Sequence, residues 1–574
     1  MKPVLILGAG INGAAVAREL AINGIPVCIV DTGDVAGGAT SRSSRLIHGG
    51  LRYLEYRDTA LVRESLVERE RLLKLAPHFV KPLRLTMPVE HRFGGLWAGF
   101  VRFSGLARTS LGHALLKFAR APRGLFAIRV GLSMYDRLAR SDSLPPHKVE
   151  SASDHNPNQE RHNVGARPMV AEQFRWLCSY SDAQIEFPER FVLTMLEDAR
   201  RAAEADSTMF EILPYHKPVA SESSAEISIV PIDANRPAGG TDLQKTVTPS
   251  VIINATGAWG DRTLEALGLR ERQLFAGTKG SHLFTTHPPL VDALNGNGIY
   301  AEASDGRLIF ILPCAGGVLI GTTDEPFEGD PGNATATPND VEYLLQMVAG
   351  VFPKVGLTVD HVSMHHAGVR PLPKNDGAPT EAVPRGHSIE ETKLNGIPIL
   401  TLVGGKLTTC RSLAEEVGRR VCAHQNHPRR HSTIDRPLPG ADDACDHIFP
   451  AEQLSQLAEK YNLTTEQVAV VWPLIGNRFT EVFTAENNES LVGTNIPKSF
   501  VKWSIEHEWC TRLEDLVERR LMLIFQPTIH RTTLEQLANE LVGTGRLAES
   551  DVSTEVDKVC SRLSKFYGRT VTTE

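Results

Sequence analysis

The stretch Val4-Leu-Ile-Leu-Gly8-Ala-Gly10-Ile-Asn12-Gly13-Ala-Ala-Val-Ala-Arg-Glu-Leu20 constrains the fold more than any other part of the chain. A short apolar run ends in glycines spaced G-x-G-x-x-G, and apolar residues at helical spacing (Ala14, Ala17, Leu20, Ala21) follow at once. This predicts strand, tight turn and helix. Gly8 permits the turn, Gly10 leaves room for a pyrophosphate, and Gly13 lets helix and strand pack closely, with the helix N-terminus aimed at the phosphates. A second apolar run, Val27-Cys-Ile-Val30, ends in Asp31, where a carboxylate can accept hydrogen bonds from a ribose. The combination points to a dinucleotide site at the start of an α/β domain.

At 574 residues the chain exceeds one core, so two or three domains are expected. Its formal charge of −7 argues against a general nucleic-acid binder. The eight cysteines are scattered, with no C-x-x-C pair and no Cys/His cluster at zinc spacing, which suits a reducing compartment and no metal. The first strand begins directly after Met1-Lys2, which leaves no room for a signal peptide. No apolar run reaches the ~18 residues of a spanning helix. Any membrane contact is therefore expected at the surface.

Further along, Thr40-Ser-Arg-Ser43-Ser44-Arg45-Leu-Ile-His48-Gly49-Gly50-Leu-Arg52-Tyr53-Leu54 combines small hydroxyl residues, paired glycines and several donors, as a segment lying on a ligand would. Residues 59–76 read as an amphipathic helix whose charges form a solvated face. Between residues 92 and 148 ten basic residues stand against only Asp136 and Asp142, interleaved with Trp97, Phe100, Phe103, Leu111, Leu115 and Phe118. This segment reads either as a membrane-surface element or as core packing of a long insertion. Residues 151–167 read as a loop, and residues 187–203 as a helix with Pro188 near its start. Val251-Ile-Ile-Asn254-Ala255-Thr256-Gly257 supplies another buried strand and a small-residue turn. The runs 277–283, 307–313 and 318–324 suit an antiparallel sheet. Gly404-Gly405-Lys406-Leu407-Thr408-Thr409 opens a further helix toward a ligand. From about residue 433 the chain becomes mostly amphipathic helix, including one expected from Phe500 to Phe525.

Several of these motifs resemble one family, the FAD-dependent glycerol-3-phosphate dehydrogenases and oxidases. Ser43-Ser44-Arg45-Leu-Ile-His48-Gly49-Gly50-Leu-Arg52-Tyr53-Leu54 is similar to its S-S-K-L-I-H-G-G-L-R-Y-L signature, with Arg45 in place of the lysine. Gly368-Val-Arg370-Pro-Leu is similar to its G-x-R-P-L motif, Gly404 to Thr409 to its G-G-K-L-T-T motif, and residues 500–525 to its C-terminal helical domain. The resemblance implies a Rossmann-like α/β flavin domain of the glutathione-reductase and D-amino-acid-oxidase type, an antiparallel β-sheet substrate domain and an all-α C-terminal domain. The corresponding divisions are residues 1–88, 150–274 and 362–430 for the flavin domain, 89–149 and 275–361 for the substrate domain and its insertion, and 431–574 for the helices.

The resemblance also implies chemistry. The expected reaction is hydride transfer from sn-glycerol 3-phosphate to FAD, giving dihydroxyacetone phosphate, with electrons passed to a quinone by an enzyme lying on the cytoplasmic face of the inner membrane. Arg370, His48 and Lys406 are expected at the reacting centre, and Arg52, Tyr53, Lys279 and His366 at the substrate. Gly8, Gly10, Asn12, Gly13, Asp31, Thr40, Ser43, Ser44, His48, Gly49, Gly50, Ala255, Thr256, Gly257, Gly368, Gly405, Lys406, Leu407 and Thr408 are expected at FAD. The alternatives are an oxidase of glycerol 3-phosphate using oxygen, a flavoprotein oxidising an amino or 2-hydroxy acid with Arg370 on the carboxylate, and a flavin-bound RNA-modifying or binding protein. The sequence leaves open whether the enzyme forms a homodimer.

Overall fold

A computed structural model describes residues 1–56, 58–94, 123–141, 143–152, 167–221, 224–233, 244–269, 273–302, 307–374, 386–441, 451–484 and 488–573. Its first sheet has six strands, in the order Ser388–Leu394, Ile397–Val403, Val251–Asn254, β1 (Val4–Leu7), β2 (Val27–Val30) and Phe210–Leu213. All pairs are parallel except the hairpin at its edge. These strands read as unbroken apolar runs because both faces are covered. Val4, Ile6, Val27 and Ile29 face α1 (Ile11–Ala21) and the helices Pro188–Ala205 and Cys410–Gln425, whereas Leu5, Leu7, Cys28 and Val30 face a small three-stranded sheet and the helix Gly260–Ala266. The expected turn after Asn254 stands beside the first glycine loop because Val251–Asn254 pairs with β1 along its length.

The second sheet follows the order Glu325–Pro326, Phe275–Thr285, Gly317–Gly321, Leu308–Cys314, Gly298–Glu302, Val80–Val89, Trp176–Ile185 and Leu46–Ile47, with Met364–Pro373 paired to Phe275–Thr285 and Lys148–Ser151 to Trp176–Ile185. It is antiparallel apart from the pairing of Gly298–Glu302 with Val80–Val89. The sheet does not follow the divisions drawn from the sequence. Leu46–Ile47, Val80–Val89, Trp176–Ile185 and Met364–Pro373 all belong to it, although they lie in stretches assigned to the flavin domain. The chain thus crosses repeatedly between the two sheets, and the segments at the crossings line the candidate site.

Three other expectations change. The helix α2 (Thr59–Leu75) does not present all its charges to solvent: Glu68 and Arg69 are each 1% exposed, with Glu68 paired to Arg411 and Arg69 to Asp182 at 2.7 Å. Phe500 to Phe525 is not one helix. It stops at His507, resumes at Leu513 after Asp515 has capped the Thr511 and Arg512 N–H groups, and continues as a π-helical turn over Leu516–Arg520. That turn docks the helical region on the first sheet, because Arg519 and Arg520 both bind the buried carboxylate of Asp34, Arg520 Nη2 at 2.8 Å from its Oδ1. Burial pushes the Asp34 carboxyl up, and the two guanidiniums outweigh it to hold it below its ordinary range. In the 92–148 insertion, Trp97, Phe100, Arg102, Phe103, Arg108, Leu111, Leu115, Lys117, Phe118 and Arg120 lie outside the described residues, as does most of the 151–167 loop. Arg123 is not a surface charge: it is clasped by Glu55 at 2.6 Å and Glu302 at 2.8 Å.

Candidate active site

The glycine loop is shaped for a dinucleotide. Gly8 holds φ +103°, and a Cβ there would fall 2.6 Å from the carbonyl oxygen of Ala255; one on Gly13 would fall 1.9 Å from that of Gly8. Gly10 is the residue before the first turn of α1 and offers no capping side chain. Thr40 Oγ1 accepts the Ile11 N–H at 3.1 Å. Asp31 accepts the Ala9 N–H at 2.7 Å and the Gly33 N–H at 2.8 Å, and these bonds oppose the burial that raises its carboxyl. On the other side Gly405 holds φ +89°, and a Cβ there would meet Asn12 Nδ2 at 2.5 Å. Asn12 Oδ1 is buried without a hydrogen-bond partner. A helix N-terminus whose own cap residue is a glycine, side-chain-free backbone on two loops and an unused amide oxygen between them fit a phosphate-bearing cofactor such as FAD.

The second half of the site lies on one face of the paired strands Phe275–Thr285 and Met364–Pro373. Their register sets Thr278 opposite Arg370, Gly280 opposite Gly368 and His282 opposite His366. Alternation puts these six on the same face. A Cβ on Gly280 would meet Arg370 Nη2 at 2.3 Å, and one on Gly368 would meet Arg42 Cβ at 2.4 Å, so only glycines let the guanidinium and the Thr40–Ser44 loop lie here. Arg370 is held by Thr322 Oγ1 at 2.9 Å and Asp324 Oδ1 at 3.0 Å. His282 stacks on His366 with centroids 5.1 Å apart, and its Nε2 lies 2.9 Å from Ser44 Oγ. Burial, with Arg370 and Arg45 nearby, pushes the His282 imidazole down to about 3; His366 is likewise held well below its ordinary value by burial and by His282. Both rings are neutral.

A third group gathers where the chain continues from Ser44. The His48 N–H donates to Thr408 Oγ1 at 3.2 Å, fixing this segment to the second glycine loop. Lys406 Nζ lies 3.9 Å from the Tyr53 ring centroid, and the His48 ring is 6.4 Å from that of Tyr53. Tyr53 packs against the cluster that includes the buried Tyr300, whose hydroxyl feels the Arg52 charge. Burial, followed by the opposing charge of Asp182 and the like charges of Lys406 and Arg69, leaves the His48 imidazole at about 4. It is therefore a neutral base at physiological pH, enclosed with a lysine and a tyrosine.

One segment thus visits all three places: Thr40 at the N-terminus of α1, Ser44 at His282, and His48 at Thr408. Of the residues expected at the substrate, Tyr53 gathers with His48 and Lys406 and Arg52 precedes it on the same turn, whereas His366 is buried under His282. Lys279 is a correction. Its odd position in the strand turns it to the opposite face from Arg370, where it is spent on Asp340 at 2.8 Å and Glu325 at 3.4 Å. Sequence reasoning missed His282, Thr322, Asp324, Asp182 and Tyr135. The first three stood inside runs recognised as strands, and counting alternate positions from Arg370's partner would have favoured His282 over Lys279.

Residues 3–411 match the family model described as FAD dependent oxidoreductase. The chain is 30% identical over 535 residues to a glycerol-3-phosphate dehydrogenase of Synechocystis, covering 90% of this chain and 88% of that protein. It is also 30% identical over 543 residues to a D-erythritol 1-phosphate dehydrogenase of Brucella abortus (93% and 96%), and 27% identical over 531 residues to the aerobic glycerol-3-phosphate dehydrogenase of Escherichia coli (90% and 93%). The fold is similar to that of a glycerol-3-phosphate dehydrogenase from Bacillus halodurans solved with FAD, with a TM-score of 0.68 at 20% identity over 99% of this chain and 95% of that one.

Proposed function

The chain belongs to the family of FAD-dependent oxidoreductases, and from that premise we propose that it oxidises sn-glycerol 3-phosphate to dihydroxyacetone phosphate. The observation that carries this reading is the enclosure of His48, Tyr53 and Lys406 between the second glycine loop and the turn bearing Arg52. A lysine and a phenol beside a neutral imidazole, with Arg52 on the same turn as the phenol, suit a phosphate next to an alcohol that must lose a proton.

FAD, when bound, supplies the hydride acceptor. Gly8, Gly10, Asn12, Gly13 and Asp31 would hold its diphosphate and ribose end, with Ala255, Thr256 and Gly257 on the neighbouring strand. Thr40, Ser43, Ser44, Gly49, Gly50, Gly368, Gly405, Leu407 and Thr408 would line its ring end. Arg52 would fork onto the phosphate, the Tyr53 hydroxyl would donate to it, and Lys406 would supply positive charge to the substrate and the flavin. Arg370, already aimed by Asp324 and Thr322, donates to the oxygen of the reacting carbon. The neutral His48 ring nitrogen takes the hydroxyl proton. These groups also orient the substrate.

The relative named for D-erythritol 1-phosphate is as identical to this chain, at 30%, as the one named for glycerol 3-phosphate, so the length of the polyol beyond the reacting carbon is the variable to test. Mixing the purified protein anaerobically with each phosphate in turn, and with glycerol, lactate and glycine, tests the reading. Bleaching of the flavin by glycerol 3-phosphate far faster than by the others is expected, with intact FAD released on denaturation. Faster bleaching by D-erythritol 1-phosphate would reassign the substrate, and faster bleaching by lactate or glycine would turn Arg370 toward a carboxylate.

Electrons then pass to a quinone at a membrane surface. Supporting this, the helix Leu125–Ala139 exposes Phe126 and Val130 beside Arg129, Arg137 and Arg140, with Phe93 exposed nearby, in a segment rich in positive charge. Each basic residue near an anionic bilayer adds ~1 kcal/mol. Among the described residues no helix is long and apolar enough to cross a membrane. Salt-sensitive sedimentation with anionic vesicles, together with reduction of a quinone analogue, is the expected behaviour. Stoichiometric peroxide release without vesicle binding would replace it with an oxidase.

A further inference from the structure

The described end of the 92–148 insertion, residues 123–139, has a face turned inward. Along the helix Leu125–Ala139 the buried positions are Ile128, Leu132 and Tyr135, packed in the cluster that includes Leu46, Leu54 and Leu66. Tyr135, 1% exposed, ends this row under the Gly49-Gly50 turn. Its hydroxyl accepts the Gly49 N–H at 3.0 Å and donates to Asp182 Oδ1 at 2.6 Å. The same carboxylate oxygen accepts the Gly49 N–H at 3.2 Å and Arg69 Nη1 at 2.7 Å. The fit is close: a Cβ on Gly49 would fall 2.4 Å from both the Tyr135 hydroxyl and Leu66. A second tie lies just ahead of the helix. Arg123 forks onto Glu55 at 2.6 and 3.0 Å, and its backbone N–H and Nη1 reach Glu302 at 3.0 and 2.8 Å. Glu55 belongs to the turn Leu51–Tyr56, which carries Arg52 and Tyr53.

We infer that residues 123–139, the described end of the insertion, are the positioning element of the substrate's phosphate end, with Tyr135 and Arg123 as its positioning residues. They tie down the chain on either side of Arg52 and Tyr53, at Gly49 and Glu55, through bonds from one helix and from a residue two positions ahead of it. Neither residue touches substrate in this scheme; each acts through the 49–55 segment. A surface segment needs no such attachment for docking alone. A buried phenol with both hydrogen bonds committed and an arginine shared by two carboxylates form a rigid clamp, since bonds of this kind are strong where water is excluded. Tyr53 also carries the contact to Lys406, so the clamp sets that lysine's neighbour as well.

This inference rests on the proposal that Arg52 and Tyr53 bind phosphate, and the test separates the two. Tyr135→Phe keeps the ring and removes the hydroxyl, while Arg123→Lys keeps the charge and removes the fork. With the holoenzyme, the ratio of kcat/KM for glycerol 3-phosphate to that for glycerol should fall about tenfold in each, mostly through KM, with flavin content unchanged. Hydrogen exchange of residues 48–56 should accelerate about tenfold while that of residues 4–21 stays as in the parent protein. Unchanged exchange at 48–56 in both variants would overturn the inference, whatever the change in Tm. A lowered Tm with an unchanged kinetic ratio, while Arg52→Ala lowers that ratio, would also overturn it. If Arg52→Ala itself leaves the ratio untouched, the phosphate assignment falls, and local exchange alone then decides whether the insertion clamps this segment.

Discussion

The glycine loop at α1 and the face shared by Phe275–Thr285 and Met364–Pro373 do equally specific work by different means. At the loop the working groups are backbone N–H groups and absent side chains, so Gly8, Gly10 and Gly13 declare the site through their spacing alone. On the sheet face the working groups are side chains delivered by register. Arg370 and Gly280 stand at diagonal positions of the register that no local pattern reveals, and neighbours such as Lys279 and Gly280 face opposite sides. A site made of backbone is written locally; a site made of side chains is written in the pairing.

Substitution at the loop should therefore be the more drastic. Gly13→Val would drive its Cβ into the Gly8 carbonyl, and since no side chain can yield there, strand and helix must part. The expected protein is colourless or insoluble. A yellow, fully loaded Gly13→Val enzyme would erase the contrast between the two regions.

Next in size is Arg52→Ala. Losing a charge-assisted phosphate contact in a closed site costs about 2–3 kcal/mol, which should appear as a raised KM for glycerol 3-phosphate with little change toward glycerol. Equal effects on both substrates would make Arg52 structural. Arg370→Lys and Lys406→Ala should each lower turnover at least about tenfold, or ~1.4 kcal/mol of transition-state stabilisation. Flavin content should survive Arg370→Lys, because this guanidinium answers to Thr322 and Asp324, both beyond the two glycine loops. Near-parental rates in both variants would move the reacting centre elsewhere.

What was legible from the sequence follows the same division. The dinucleotide loop, the turn after Asn254, the second glycine loop and most helices were readable because short-range spacing or apolar periodicity determines them. The second sheet was only half visible, since Leu46–Ile47, Trp176–Ile185 and Met364–Pro373 join it across long intervals of chain. Charge misled for the same reason. Glu68, Arg69, Arg123 and Lys279 look solvated in sequence, but each meets its opposite charge only after folding. His48 was readable as a candidate acid/base, but its neutral state was not, since its depressed imidazole comes from burial and from Lys406 and Arg69.

That depression gives a smaller, graded effect. With the folded-state value at about 4 against 6.5 for the free side chain, the unfolded chain takes up the proton first as pH falls. Stability contributed by the neutral ring is complete above pH 6.5 and is lost between 6.5 and 4. Flavin reduction that needs this neutral base should likewise show no inflection near 6.5 and should decline only toward pH 4. A limb at 6.5 that vanishes in His48→Asn would mean that the imidazole is open to water in the working enzyme.

The smallest kinetic effect is expected at Lys279, where the contrast between the regions is sharpest. Proximity in sequence to Gly280 and His282 makes it look like a substrate cation, and only the strand's alternation removes it. Its ammonium lies 2.8 Å from Asp340, whose carboxylate also accepts the Thr337 N–H and hydroxyl at the start of the helix Pro338–Val351. Burial would lower the lysine, but the Asp340 hydrogen bond and charge outweigh it and hold it raised, as befits a structural pair. Lys279→Met should cost stability, about 1–3 kcal/mol for the carboxylate left short of a donor, and should lower Tm. It should leave kcat and KM for glycerol 3-phosphate within about twofold of the parent, because nothing on the site face has moved. A KM raised as far as in Arg52→Ala, with Tm unchanged, would bring Lys279 to the substrate and show that the strand register does not govern which side chains serve the site.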